Sequence, residues 1–175
     1  MAIVPHPRAP IHTPTLPFTG RRWPSRVYPG DLAQTSWVRS DLAVDLARLA
    51  GLAKETGEDI VLCASEMFAN ACDHSRSGQD PEGRVIRTLN MPTATTVQVA
   101  IVDDGVRADS IEPKGPEIPH QRTPEDWEEA ERGRGLLLIH HLAERWGSHS
   151  ILDFPFCDGL GTVIWAEFAL GGARS

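Results

Sequence analysis

Apolar residues recur along this chain with two different periods, and the change of period marks where helices give way to strands. Leu42, Leu46, Leu49 and Ala50 repeat at helical spacing behind Asp31, a natural N-cap for Leu32-Ala33, and the repeat stops at Gly51. After a break at Thr56-Gly57-Glu58-Asp59, a second helix is predicted from about 58 to 75. On it Ile60, Ala64, Met67, Phe68 and Ala71 form one core-facing stripe at about 100° per residue. The period then shortens to two. Val85, Arg87 and Leu89 alternate across Arg84 to Asn90, Thr95 to Val102 is dense in β-branched residues, and Pro92-Thr93 is the turn between these strands. Arg21 to Tyr28 reads as an earlier strand, confined by Pro24 to an edge or bulge. A third helix is predicted over Leu136 to Trp146, followed by strands over Ser148 to Asp153 and Thr162 to Leu170, with Trp146 and Trp165 in the core.

Two stretches lie outside this pattern. Residues 1 to about 20 carry Pro5, Pro7, Pro10, Pro14 and Pro17, a density that favours an extended, flexible tail. From Asp103 to Arg134 the periodicity vanishes, a length unusual for a plain connector and typical of a functional loop. Within it, Thr123-Pro124-Glu125-Asp126 opens a short helix to about Glu131. The order of elements is α+β, with helices on one face of a largely antiparallel sheet.

Composition narrows the class. With 175 residues, 41% of them hydrophobic, the chain can bury one full core: a domain over 21–172 behind the tail. A net charge of −7 has the wrong sign for neutralising a phosphate backbone, so direct nucleic-acid binding is not expected. Cys63, Cys72 and Cys157 form no C-x-x-C pair, which argues against a disulfide framework or zinc cage and for a reducing cytoplasm. No apolar run approaches the ~20 residues of a membrane span.

The chemistry concentrates in four short motifs. Glu66 and Asn70, at i and i+4 of the second helix, project side by side on the flank of its apolar stripe. A glutamate can serve as general base, and an asparagine offers a neutral oxygen suited to Mg²⁺. Val102-Asp103-Asp104-Gly105 ends a strand, where a carboxylate can accept a hydrogen bond from an exocyclic amine and a glycine lets a planar base approach. Gly133-Arg134-Gly135-Leu136 leads into a helix whose first N–H groups and dipole favour phosphate. Gly159-Leu160-Gly161-Thr162 begins the last strand, with a hydroxyl at Thr162 for a phosphate or for the base-binding carboxylate. Each motif alone is commonplace.

In this order and spacing they resemble the asparagine box and the three glycine boxes of the GHKL ATPases, the superfamily of gyrase, MutL and histidine-kinase catalytic domains. Ser65-Glu66…Asn70-Ala71…His74-Ser75 and Gly133-Arg134-Gly135-Leu136-Leu137-Leu138, followed by Arg145-Trp146-Gly147, are similar to the anti-sigma-factor serine/threonine kinases, the RsbW-like branch. The match spans about residues 26 to 170. It implies the Bergerat fold, a two-layer α/β sandwich binding ATP and Mg²⁺ beneath a mobile lid at about 106–132. Asp103 would take the adenine amino group, with Gly105 beside it. Asn70 would help hold Mg²⁺, and Glu66 would deprotonate the serine or threonine of a protein substrate. Gly133, Arg134, Gly135 and Leu136 would close around the phosphates, and Thr162 would support the base pocket. The implied partners are a sigma factor, a STAS-like anti-sigma-factor antagonist, or both, with a homodimer as the expected assembly.

Two positions depart from that pattern. Arg107 stands where the first glycine box has its second glycine, and Asp73 places an acid near the expected phosphate side, where like-charge repulsion would weaken ATP binding. They motivate an alternative: a degenerate module of the same fold that binds a partner without phosphotransfer.

Overall fold

The computed structural model describes residues 20–105, 134–151 and 161–171. The tail, the short helix near residues 123–131 and the lid segment lie outside the described residues. Among the described residues six strands form one sheet: β1 (Arg21–Arg22), β2 (Arg26–Pro29), β3 (Arg84–Thr93), β4 (Thr96–Asp103), β5 (Arg145–Ser150) and β6 (Thr162–Ala169). The strand order is β1-β3-β4-β6-β5, β2 also pairs with β3, and every pairing is antiparallel. Helices α1 (Thr35–Leu46), α2 (Lys54–His74) and α3 (Arg134–Leu142) accompany it.

The core lies between the helices and one sheet face. Val85, Leu89, Val97, Val99, Ile101, Ile164, Ala166 and Phe168 point at Val38 and Leu42 of α1, Ile60, Ala64, Met67 and Phe68 of α2, and Ile139 of α3. Full burial of a side chain of this size contributes about 1.5–3 kcal/mol. Tyr28 of β2 stands edge-on to Phe68, with ring centroids 5.9 Å apart, which seats α2 over the β2 side of the sheet. The two-layer α+β architecture expected from the sequence is therefore present, with α2 and its predicted stripe at its centre.

Several boundaries differ from the sequence reading, each for a tertiary reason. The predicted first strand is two short ones, interrupted at Pro24, and both pair with β3. Asp31 caps as expected, accepting from Ala33 N–H at 2.9 Å, but it opens a 3₁₀ turn (Leu32–Gln34) before α1, which ends at Leu46. Helix α2 starts at Lys54, so the expected break lies inside it: the Gly57 N–H bonds to the Ala53 carbonyl, and Lys54 pairs with Glu58 one turn on. Strand β3 runs on to Thr93, with a register shift between Asn90 and Thr93 that accommodates Pro92, so the turn is Ala94-Thr95.

The largest correction concerns Leu136 to Trp146. Trp146 continues the spacing of Leu138, Ile139 and Leu142, which reads as helix, yet α3 ends at Leu142 and Arg145–Ser150 is the edge strand β5 on β6. Trp146 faces the core from its place opposite Ala166, so strand pairing buries the same ring that a helical turn would have buried. Trp165, expected in the core, is on the opposite sheet face, half-buried and packed across Gly147.

Candidate functional site

Glu66 and Asn70 sit one turn apart on α2, both half-buried at the margin of its core stripe. The start of α3 comes directly against them. A methyl group built on Gly135 would lie 2.9 Å from Glu66 Oε2 and 3.6 Å from Asn70 Nδ2, so the Glu66 carboxylate can hold its present position only because residue 135 has no Cβ. Neither the Glu66 carboxylate nor the Asn70 carboxamide has a hydrogen-bond or ion-pair partner among the described residues. A half-buried carboxylate and carboxamide with no partner among the described residues offer oxygens suited to a hydrated cation, and the helix N-terminus beside them suits an anionic ligand.

The second cluster is at the end of β4. Asp103 pairs in register with Thr162 of β6, and its Oδ1 accepts from the backbone N–H of Gly105 at 2.7 Å and of Thr162 at 3.3 Å. Thr162 thus reaches the carboxylate through its backbone N–H, whereas the sequence suggested its hydroxyl. Asp103 Oδ2 has no hydrogen-bond partner among the described residues and remains an acceptor for a ligand amine. Gly161 has φ +139°, and a Cβ on it would fall 2.0 Å from the Asp103 carbonyl oxygen, so the last strand can begin beside Asp103 only with glycine. Burial pushes the Asp103 carboxyl above the usual carboxylate range. The Gly105 and Thr162 N–H groups oppose that shift, and the neighbouring Asp104 charge adds to it.

Sequence reasoning passed over Asp104, Ser77 and Arg76. Asp104 Oδ2 receives the Ser77 hydroxyl at 2.9 Å and the Arg84 N–H at 3.1 Å, and Arg76 Nε donates to the Asp104 carbonyl at 2.8 Å. The available signal was S-x-S directly after the α2 stripe, a pattern of small hydroxyls suited to capping a helix end.

The remaining predicted residues are distributed as follows. Arg134 is the first residue of α3, and Leu136 is buried in the core, which leaves its backbone as the part able to meet a phosphate. Gly133 and Arg107 lie outside the described residues. Asp73 lines a cleft of about 540 Å³ together with Asp31 and Asp80, and that lining includes none of Glu66, Asn70 or Asp103. His140 accepts from Trp146 Nε1 at 3.3 Å, and His141 Nδ1 lies 2.6 Å from the Leu137 carbonyl, so both are engaged within α3 and β5. No group of three metal-binding side chains occurs among the described residues. Nor is any helix among them long and apolar enough to cross a membrane.

Residues 28–164 match the histidine kinase-like ATPase domain, a span containing both clusters, all three helices and strands β3 to β5. The chain belongs to that family. No curated protein matches it. Membership in the histidine kinase-like ATPase family implies ATP binding, and it places the chain in the GHKL superfamily whose boxes its motifs resemble. The geometry fits such a ligand: one cluster offers a half-buried acceptor whose second oxygen has no partner among the described residues, the other a carboxylate and carboxamide likewise without one, beside a helix N-terminus.

Proposed function

We propose that this protein is an ATP-dependent serine/threonine kinase of the anti-sigma-factor type, phosphorylating a small STAS-like antagonist, sequestering a sigma factor, or both. The observation that carries the reading is the convergence of Glu66, Asn70 and Gly135, in a chain whose family binds ATP. Asp103 Oδ2 accepts the exocyclic amine of adenine. Asn70 gives its carboxamide oxygen to Mg²⁺, and the N–H groups at the start of α3 face the phosphates. Bound Mg-ATP supplies the transferable phosphoryl group. Glu66 takes the proton of the incoming serine or threonine hydroxyl, and no described residue forms a hydrogen bond or ion pair with its carboxylate that would compete.

Affinity capture of partners with and without Mg-ATP, followed by phosphosite mapping, tests this directly. The expected result is a small antagonist protein phosphorylated on serine or threonine. Capture of a partner that is never phosphorylated in Mg-ATP would replace the kinase reading with that of a binding module.

Two further outcomes are expected. Gly135→Ala places a methyl 2.9 Å from Glu66 Oε2 and must displace the carboxylate, a flexible group that can yield. Turnover should fall roughly ten- to a hundredfold while the melting temperature changes little, as a coupled assay and a thermal melt on the same sample would establish. The raised Asp103 pKa has its own signature. Adenine needs the ionised carboxylate, so affinity is full above the Asp103 pKa and falls as pH drops through it. Calorimetric titrations across pH should show the loss beginning above the ordinary aspartate value of about 3.9.

A further inference from the structure

The segment between α2 and β3 closes on the Asp103 turn through a continuous set of hydrogen bonds. Ser75 Oγ donates to the Ala71 carbonyl at 2.6 Å, next in the helix to Asn70, and accepts the Ser77 N–H at 3.1 Å. Ser77 Oγ accepts the Asp104 N–H at 2.9 Å and lies within donating distance of two acceptors, the Arg84 carbonyl at 2.6 Å and Asp104 Oδ2 at 2.9 Å. The backbone N–H of Arg76 donates to the Gly105 carbonyl at 3.0 Å, and its Nε donates to the Asp104 carbonyl at 2.8 Å. Both peptide carbonyls after Asp103, the Asp104 N–H and the Asp104 carboxylate are therefore held by one loop. Ser75 and Ser77 are buried, so their bonds are shielded from bulk water, whereas the Arg76 side-chain bond to the Asp104 carbonyl is exposed.

A backbone held at this many points has little freedom, and the Gly105 N–H it fixes is the shorter of the two donors on Asp103 Oδ1. We propose that Asp104 and Ser77 are positioning residues for base recognition. By locking the Asp104-Gly105 turn to the end of α2, they aim Asp103 Oδ2 at the adenine amine and tie the base pocket to the helix that carries Asn70 and Glu66. The inference rests on Asp103 being the adenine acceptor. It assigns Asp104 an indirect role, since its carboxylate is directed at Ser77 and Arg84.

Loss of the lock should appear as loss of base discrimination, which a general loosening of the fold would not produce. The probes are Mg-ATP and Mg-ITP, the latter carrying a carbonyl where adenine has its amine, titrated into the full chain with a melt recorded for each variant. In the wild type ATP should bind more tightly than ITP, and Asp103→Ala should erase the difference. Asp104→Ala and Ser77→Ala should each weaken ATP roughly tenfold while leaving ITP within about twofold, and Asp104→Asn, which retains an acceptor oxygen, should keep most of the preference. Should Asp104→Ala and Ser77→Ala preserve the wild-type ATP:ITP ratio, or weaken both nucleotides equally, the positioning role is wrong, and the Asp103→Ala result alone decides whether Asp103 reads the base. A wild type without ATP preference, or one in which Asp103→Ala changes nothing, overturns the base-acceptor reading and this inference with it.

Discussion

Replacing Asp45 by alanine is expected to destabilise the fold by about 3–5 kcal/mol, the usual cost of leaving one member of a buried ion pair without its counter-charge. Arg87 is fully buried, 0% exposed, on the helix-facing side of β3. Its Nη2 donates to Asp45 Oδ2 of α1, while its Nε and Nη1 have no hydrogen-bond partner among the described residues. Arg26 of β2 adds two longer bonds to the same carboxylate, at 3.4 and 3.5 Å, and an ion pair with Asp41 at 3.6 Å, and Asp41 accepts from the Tyr28 hydroxyl at 3.1 Å. Burial by itself would raise the Asp45 carboxyl, but the Arg87 and Arg26 guanidiniums outweigh it and hold the group below its ordinary value. A lowered folded pKa gives stability that is complete above about 3.9 and is lost as pH falls through the folded value, so Asp45→Ala should flatten the acid limb of the stability curve. Urea melts at pH 7 and at a series of pH values below about 3.9 would measure both effects. The double change Asp45→Leu with Arg87→Met should recover much of the loss, because it removes both charges instead of stranding one.

That buried pair shows what the sequence revealed and what it withheld. Arg87 alternates in phase with Val85 and Leu89, so its place on the apolar face of a strand was readable from the period alone. Its partner was not, since Asp45 lies 42 positions earlier on a helix and no local rule joins them. The same division runs through the site. The stripe of α2 placed Glu66 and Asn70 correctly, because an i, i+4 relation is a local fact of helix geometry. The contact of Gly135 with both, and the grip of Ser77 on Asp104, are non-local. Thr56-Gly57-Glu58-Asp59 read as a break because glycine is a poor helix former, a penalty of about 1 kcal/mol that packing of a 21-residue helix overrides. Arg145-Trp146 read as helix for the converse reason: an apolar spacing that fits a helix also fits an edge strand whose alternate residues face the core, and pairing with β6 decides between them.

Glu66→Gln should produce the largest change in chemistry for the least change in structure. Glutamine keeps the volume and a hydrogen-bonding oxygen next to Gly135, where the Glu66 Cβ lies 3.5 Å from the position of a residue-135 methyl, so α2 and α3 should stay seated. What it cannot do is take a proton. If Glu66 is the general base, transfer to a serine or threonine substrate should fall about 10²- to 10⁴-fold while Mg-ATP affinity stays within a few-fold. Asn70→Ala should give the opposite division, because the carboxamide one turn on would act on the metal: nucleotide binding should weaken and lose much of its dependence on Mg²⁺. Single-turnover transfer and calorimetry with and without Mg²⁺, run on both variants, separate the two roles. Undiminished transfer by Glu66→Gln would remove the base from the mechanism. Equal loss of binding and transfer in both variants would mean that the pair acts only as one polar wall of the nucleotide pocket. The separation is sharp because the two side chains share a helix face and the same glycine neighbour, yet differ in the one property each role requires: a proton-accepting charge at 66, a neutral oxygen at 70.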